Sequence, residues 1–427
     1  MNIKKSTLPN NLTVLFVETE SFPSFTALLL VGAGSRYETS ANNGTAHFLE
    51  HMAFKGSEQY PDSLTIASTI EGMGGVFNAF TDKDHTGYWI KAPVAQYDTV
   101  MNVLSDMLLH SRLDPEEINR EKGVIIEEMN MYEDTPYRKV GDVFEELLYG
   151  GTPLGFEIIG TRKNVLSFTR DTFIEYMNAY YRPSNAVLVV AGGFRGSAFE
   201  ESWMTVIEDK FGGWQDANTP LPVPYTGQQK KPAIRVRHKK TEQAHFCLGF
   251  RTFSLTDSRR YDLSVLTTIL GGGMSSRLFI EVRERRGLCY YISTGREFYT
   301  DTGNLVTQAG VTNSVEKVRE ALDVTVAQHR EIANGSFSDA ELTRAKEMMK
   351  GRMLLSLENS HSIASFIGTR QLMEKKYATP AEVIEKIDAV TKESVVEVAR
   401  TCFTPERMNL AVIGPFSESD FPLDYTL

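Results

Sequence analysis

The segment Thr45–Gly56 reads TAHFLEHMAFKG and holds two histidines four residues apart, with a glutamate between them. On a helix each residue advances about 100°, so His47 and His51 lie about 40° apart and Glu50 about 60° to one side of His47. Three such groups on one face suit hydrolytic metal chemistry. Two imidazoles one turn apart can share a zinc ion, and a nearby carboxylate can take a proton from the water that the ion activates. The order is the reverse of HExxH, with the carboxylate on the other flank of the histidine pair. Alone, the pattern also fits a surface helix that carries these residues by chance. Phe48, Leu49, Met52 and Phe54 oppose that reading, because they make the helix a buried one. Buried imidazoles and carboxylates need partners, and a metal supplies them.

A catalytic zinc takes a third protein ligand and keeps one position open. The best source is a helix expected over 114–133, with Asp114 as N-cap and Pro115 at its first position. Glu121, Val124, Ile125, Glu128 and Tyr132 share one side of it, each within about 60° of Glu121. Two carboxylates thus stand in an apolar stripe, whereas Glu127 points about 100° away. Glu128 is the better ligand, and Glu121, two turns earlier, is placed to support a ligand from behind. On spacing alone, two solvated acids at a helix edge read equally well.

Other chemistry finds little support. Cys247, Cys289 and Cys402 are too scattered for a disulfide framework or a CxxC metal pair. A net charge of −10 argues against a nucleic-acid partner. No apolar run approaches the roughly 18 residues of a membrane helix, and the N-terminus shows no signal-peptide pattern, so a cytoplasmic protein is expected. GGGMSSRLF (Gly271–Phe279) lacks the Lys-Ser/Thr of a phosphate loop. His85 is a third histidine near the site, read as structural because the ligand set is already complete. His110, His238, His245, His329 and His361 form no ligand spacing.

These residues need a scaffold, and 427 residues exceed one typical core. The proline-rich, polar stretch 216–232 reads as a linker between a domain over 1–215 and another over 233–427. Both halves run in the same order: an apolar strand (Phe25–Val31; Ala244–Thr252), a helix, two further strands, several helices and a closing strand (Ala186–Ala191; Asn409–Ile413). That order predicts a duplicated α+β fold, each domain a mostly antiparallel sheet with helices on one face.

His47, His51 and Glu128, with 76 residues between the last two, resemble the HxxEHx76E signature of the pitrilysin/insulinase (M16) peptidases, the inverzincins. EKGVIIEEMNMYEDTP (Glu121–Pro136) and GGVFNAFTDKDHTGYW (Gly74–Trp89) also resemble that family, and the length is similar to its mitochondrial-processing-peptidase-like branch. The resemblance covers about residues 5 to 415. It implies a LuxS/MPP-like metallohydrolase fold and one Zn2+ per chain, held by His47, His51 and Glu128. It implies a metalloendopeptidase acting on oligopeptides or unfolded chains, with Glu50 as general base. Asn78, Ala79, Phe80 and Thr81 match the family's edge strand, which binds peptide by β-augmentation. Arg283 and Tyr290, seven residues apart, match its Arg/Tyr pair: the arginine would orient the peptide's carbonyl end and the tyrosine would hydrogen-bond the oxyanion. Asp84 stands where many relatives have glutamate. Because one chain carries both sets, the resemblance implies a homodimer enclosing a chamber, with a heterodimer as the other arrangement the family uses. A non-catalytic, core-type scaffold subunit is the rival reading from another class; a processing peptidase dedicated to one precursor is a second.

Overall fold

The computed structural model describes residues 2–19, 22–194 and 197–426. In chain order the first half contains β1 (Asn2–Thr7), β2 (Thr13–Glu18), β3 (Ser24–Val31), α1 (Thr45–Met52), α2 (Ser63–Gly72), β4 (Val76–Thr81), β5 (Thr86–Pro93), α3 (Tyr97–Leu109), α4 (Pro115–Glu133), α5 (Pro136–Tyr149), α6 (Arg162–Ser167), α7 (Arg170–Tyr180), β6 (Ala186–Gly192) and α8 (Ser197–Phe211). The second half contains β7 (Ala233–His238), β8 (Gln243–Thr252), α9 (Arg260–Gly271), a π-helical turn (Phe279–Glu284), β9 (Cys289–Phe298), β10 (Gly303–Thr312), α10 (Val315–Ala333), α11 (Asp339–Ser356), α12 (Ser360–Glu374), α13 (Pro380–Asp388), α14 (Lys392–Cys402) and β11 (Met408–Gly414). None of the described helices is long and apolar enough to cross a membrane.

The strands form two sheets, ordered β1-β2-β6-β3-β5-β4 and β7-β11-β8-β10-β9. In each sheet one pair is parallel, β2 with β6 and β7 with β11, and the remaining pairs are antiparallel. The same strand order therefore occurs twice, with β1 as an extra edge in the first sheet. The α+β class and the mostly antiparallel sheets agree with the sequence reading.

The chain clusters into two compact units, one of residues 1–129, 156–223 and 355–379, the other of 130–155, 224–354 and 380–427. These units differ from halves cut at 216–232, because each half lends the other a helical segment. The stretch 214–232 has no regular secondary structure, and the division between Val223 and Pro224 falls within it.

The lent helices explain strands that are apolar without alternation. In the first unit, Leu28, Leu30, Val187 and Val189 pack against Ile363, Ala364 and Ile367 of α12. On the opposite side of β3, Phe25 meets Tyr97 of α3 and Trp203 of α8. In the second unit, Cys247, Ala411 and Ile413 pack against Val140, Val143 and Phe144 of α5. The other face, with Phe246, Leu248, Leu410 and Val412, packs on α9, α10 and α14. Central strands covered on both sides have no face to leave polar. Helices on one face only, as expected from element order, thus becomes helices on both: several local ones on one side and one from the distant half on the other.

Candidate metal centre and active site

Helix α1 has only eight residues and carries three of the candidate groups. Ala46, Phe48, Leu49 and Met52 are at most 2% exposed, so burial of this face sets the helix in place. Its opposite side presents His47, Glu50 and His51. Helix α4 starts at Pro115, with Asp114 Oδ1 accepting from Glu116 N, as the cap pattern predicts. Ile118, Glu121 and Ile125 are buried on it. Val124 departs from the expected stripe and is 50% exposed. It lies on the flank of the line through 121, 125 and 128, beyond reach of the packing.

The two helices bring His47, His51 and Glu128 together, with one ligand atom from each lying within 4.8 Å of the others. Glu128 Oε2 stands 3.7 Å from His47 Nε2 and 3.6 Å from His51 Nε2. Ligands about 2.0–2.1 Å from a tetrahedral zinc stand about 3.3 Å apart, so Glu128 lies within a few tenths of an ångström of that spacing from each imidazole. The donor set, two imidazoles and one carboxylate, is that of a catalytic zinc site. Among the described residues no other His/Cys/Asp/Glu group has this geometry.

Glu121 stands behind the candidate ligands. It is 3% exposed, and its Oε1 accepts from His51 Nδ1 at 2.8 Å. That bond leaves Nε2 of the ring free to face Glu128 and a metal between them. Lys55 Nζ lies 2.5 Å from the other oxygen, Oε2. Burial would raise the Glu121 carboxyl, but the hydrogen bonds from His51 and Lys55 outweigh it and hold the group low. Burial would likewise depress His51, yet Glu121, Glu128 and Glu50 together hold it above its ordinary value. His47 goes the other way, down to about 4, through burial and the neighbouring His51 charge. Glu50 is raised by burial, opposed by a hydrogen bond from Thr81 Oγ1 at 2.6 Å. A buried carboxyl held upward beside two imidazoles suits proton transfer near neutral pH.

Glu50's partner Thr81 ends β4, the edge strand of its sheet, paired with β5 from Val76↔Lys91 to Thr81↔Thr86. Among the described residues no strand lies beyond β4. Asn78 and Phe80 sit on it as expected, and Ala79 N donates to Asn78 Oδ1 at 2.9 Å. Asp84 is buried against Arg36, 2.9 Å away. His85 is outside the metal group and packs edge-on against Phe80. Arg283 and Tyr290 belong to the second unit, where the guanidinium lies 5.7 Å from the Tyr290 ring centre and 4.6 Å from that of Phe279. Tyr290 is 77% exposed.

Residues 13–162 match the profile of Insulinase (Peptidase family M16), and residues 167–349 match that of the Peptidase M16 inactive domain. An uncharacterized zinc protease of Bacillus subtilis is 37% identical over 97% of this chain and 98% of its own length. The chain belongs to peptidase family M16. The beta subunit of the Rattus norvegicus mitochondrial-processing peptidase is 32% identical over 93% of this chain and 82% of that one. A protease from Helicobacter pylori has a similar fold, with a TM-score of 0.89, at 22% identity over 97% of this chain and 99% of that one. This M16 protein is a zinc metallopeptidase, and zinc is its cofactor.

Two residues beside the M16 motif escaped the sequence reading. Lys55 lies four residues after His51, a spacing that places it on the same side of the chain, and this signal was available. Thr81 was expected at the peptide-binding edge, and nothing local indicates that it also holds Glu50.

Proposed function

We infer that the protein is an endopeptidase that hydrolyses oligopeptides or unfolded chains. The observation that carries this reading is the convergence of His47, His51 and Glu128, with Glu50 beside them and an open sheet edge ending at Glu50's partner Thr81. His47, His51 and Glu128 would hold one zinc, which would supply Lewis acidity to the scissile carbonyl and to the attacking water. Glu50 takes the proton of that water and delivers it to the leaving amine. Glu121 orients His51. The peptide adds to β4 along Asn78, Ala79, Phe80 and Thr81, so main-chain hydrogen bonds hold it with little demand on sequence. Arg283 and Tyr290 are assigned, on the family resemblance alone, to the peptide's carbonyl end and the oxyanion. A cytoplasmic homodimer is the assembly proposed.

The test is hydrolysis of a quenched fluorescent peptide beside Glu50→Gln, with zinc measured on both proteins. The variant should retain zinc and lose at least about 100-fold in kcat. A variant that keeps zinc and wild-type rate removes Glu50 from the chemistry. Wild-type protein that holds zinc and cleaves nothing favours the scaffold subunit.

A further inference from the structure

His47 differs from His51 in one respect. His51 is oriented by Glu121, but His47 Nδ1 is buried with no hydrogen-bond partner. Its ring position depends on where α1 itself sits. That helix begins at Gly44, which lies in the left-handed region at φ 102° and has no side chain with which to cap. Thr45 Oγ1 donates to Asn42 O and so does no capping either.

The other capped helices use a local residue. Asp62, Thr161, Ser314, Asn359 and Thr391 each accept from the N–H three positions on, at the starts of α2, α6, α10, α12 and α14. Helix α1 instead uses Glu38, six to eight residues upstream. Glu38 is 2% exposed. Its Oε2 accepts from Gly44 N at 2.8 Å and Asn43 Nδ2 at 2.9 Å, and its Oε1 accepts from Ala46 N at 2.6 Å. Asn43 is tied in turn, since its carbonyl accepts from Asn164 Nδ2 at 3.1 Å. The last of Glu38's donors, Ala46, directly precedes His47.

We propose that Glu38 is a positioning residue of the metal centre, whose carboxylate clamps the first turn of α1 and so sets the placement of His47, Glu50 and His51. The inference rests on the metal assignment above. A buried carboxylate is an expensive way to cap a helix, and a neutral side chain reaching one N–H would do for stability alone. Two oxygens gripping three donors fix the helix in rotation as well as in length. A metal ligand needs that, because active-site groups must be held within about 0.5 Å of working geometry. Burial pushes the Glu38 carboxyl up to about 7, and the donors of Ala46, Gly44 and Asn43 oppose that rise.

The experiment uses the full-length protein with cobalt in place of zinc, and reads the visible cobalt spectrum, zinc affinity by chelator competition, kcat and KM, and thermal unfolding. Glu38→Gln keeps the shape but turns an amide NH2 against an N–H. It should shift the cobalt bands, weaken zinc by about 10-fold and lower kcat by about 10–100-fold, with KM nearly unchanged. Glu38→Asp, which keeps the charge on a shorter arm, should recover part of each loss. Val190→Ala, in the core of β6, serves as the destabilised control and should leave spectrum and kcat alone. A Glu38→Gln protein with wild-type spectrum, zinc affinity and kcat overturns the proposal. Cobalt bands that move equally in Val190→Ala also overturn it. If Glu38→Gln does not fold, a wild-type spectrum in Glu38→Asp does the same. Wild-type protein that takes up neither metal sinks the metal assignment itself, a result recognisable because it needs no variant.

Discussion

Replacing Glu121 by glutamine tests the chain that runs from Lys55 through Glu121 to His51. Glutamine has the same shape, so its Oε1 can still accept from His51 Nδ1, where the native distance is 2.8 Å. What it loses is the charge, and its NH2 then faces the Lys55 ammonium that stood 2.5 Å from Glu121 Oε2. The Lys55 side chain is 25% exposed and can turn to water, so the variant avoids the full cost of a stranded buried charge. The main effect falls on His51, whose basicity Glu121 raises. Loss of such a supporting group weakens metal binding by about 10–100-fold, or about 1.4–2.7 kcal/mol. Chelator competition at neutral pH measures this directly. Lys55→Met, acting only through Glu121, should cost about 3–10-fold, and the double variant should lose less than the product of the two. A Glu121→Gln protein within twofold of wild-type zinc affinity, or single effects that multiply cleanly, would refute the chain.

Three further outcomes are expected. Thr81→Val removes a hydrogen bond to Glu50 of the charge-assisted kind, about 1.5–3 kcal/mol, and should lower kcat by about 10–100-fold, whereas Thr81→Ser should stay near wild type; equal losses in both would place the effect in the strand and not in the hydroxyl. Gly368→Ala should destabilise the protein by about 1–3 kcal/mol in denaturant unfolding although alanine favours helix, because the added Cβ would meet Val189 Cγ2 at 2.7 Å and Leu30 Cδ1 at 2.8 Å; a more stable variant would mean that α12 does not press on the first sheet. His329 is buried between Phe250 and Phe403, and burial lowers it to about 4 from 6.5. It stays neutral in the fold while the unfolded chain takes up a proton, so its share of stability is whole above pH 6.5 and fades as pH falls towards 4, by about 3 kcal/mol. The acid limb of a pH–stability curve should flatten in His329→Phe; an unchanged limb would assign the loss elsewhere.

The chemical groups were legible because their geometry is local. A histidine pair one turn apart shares a helix face whatever the helix packs against, and the apolar neighbours of His47 and His51 announce its burial. Glu121 and Glu128 stood out as acids within an apolar stripe, and the structure puts one behind His51 and the other beside both imidazoles. The strands at 25–31, 186–191, 244–252 and 409–413 are visible as apolar runs bounded by turns, and the structure has them as β3, β6, β8 and β11, each within one residue of those bounds. Strands β1 and β7 are half exposed and lysine- or arginine-bearing, and were correspondingly harder to see. Helix α8 was missed, although its residues 197–211 contain no breaker.

What the sequence determined by itself, then, was the candidate donor groups on each helix, the helices that carry them and the order of elements in each half, since all of these follow from spacing within a few turns of chain. The tertiary structure alone decided which sheet each helix covers. An amphipathic helix records that it has an apolar face but not whose surface meets it, so the transfer of α12 to the first sheet and α5 to the second left no local trace. The same holds for Thr81 on Glu50 and for Glu38 on α1. Each is a polar contact made across a loop or between elements, and its residue type and spacing are ordinary until the fold places the partner beside it.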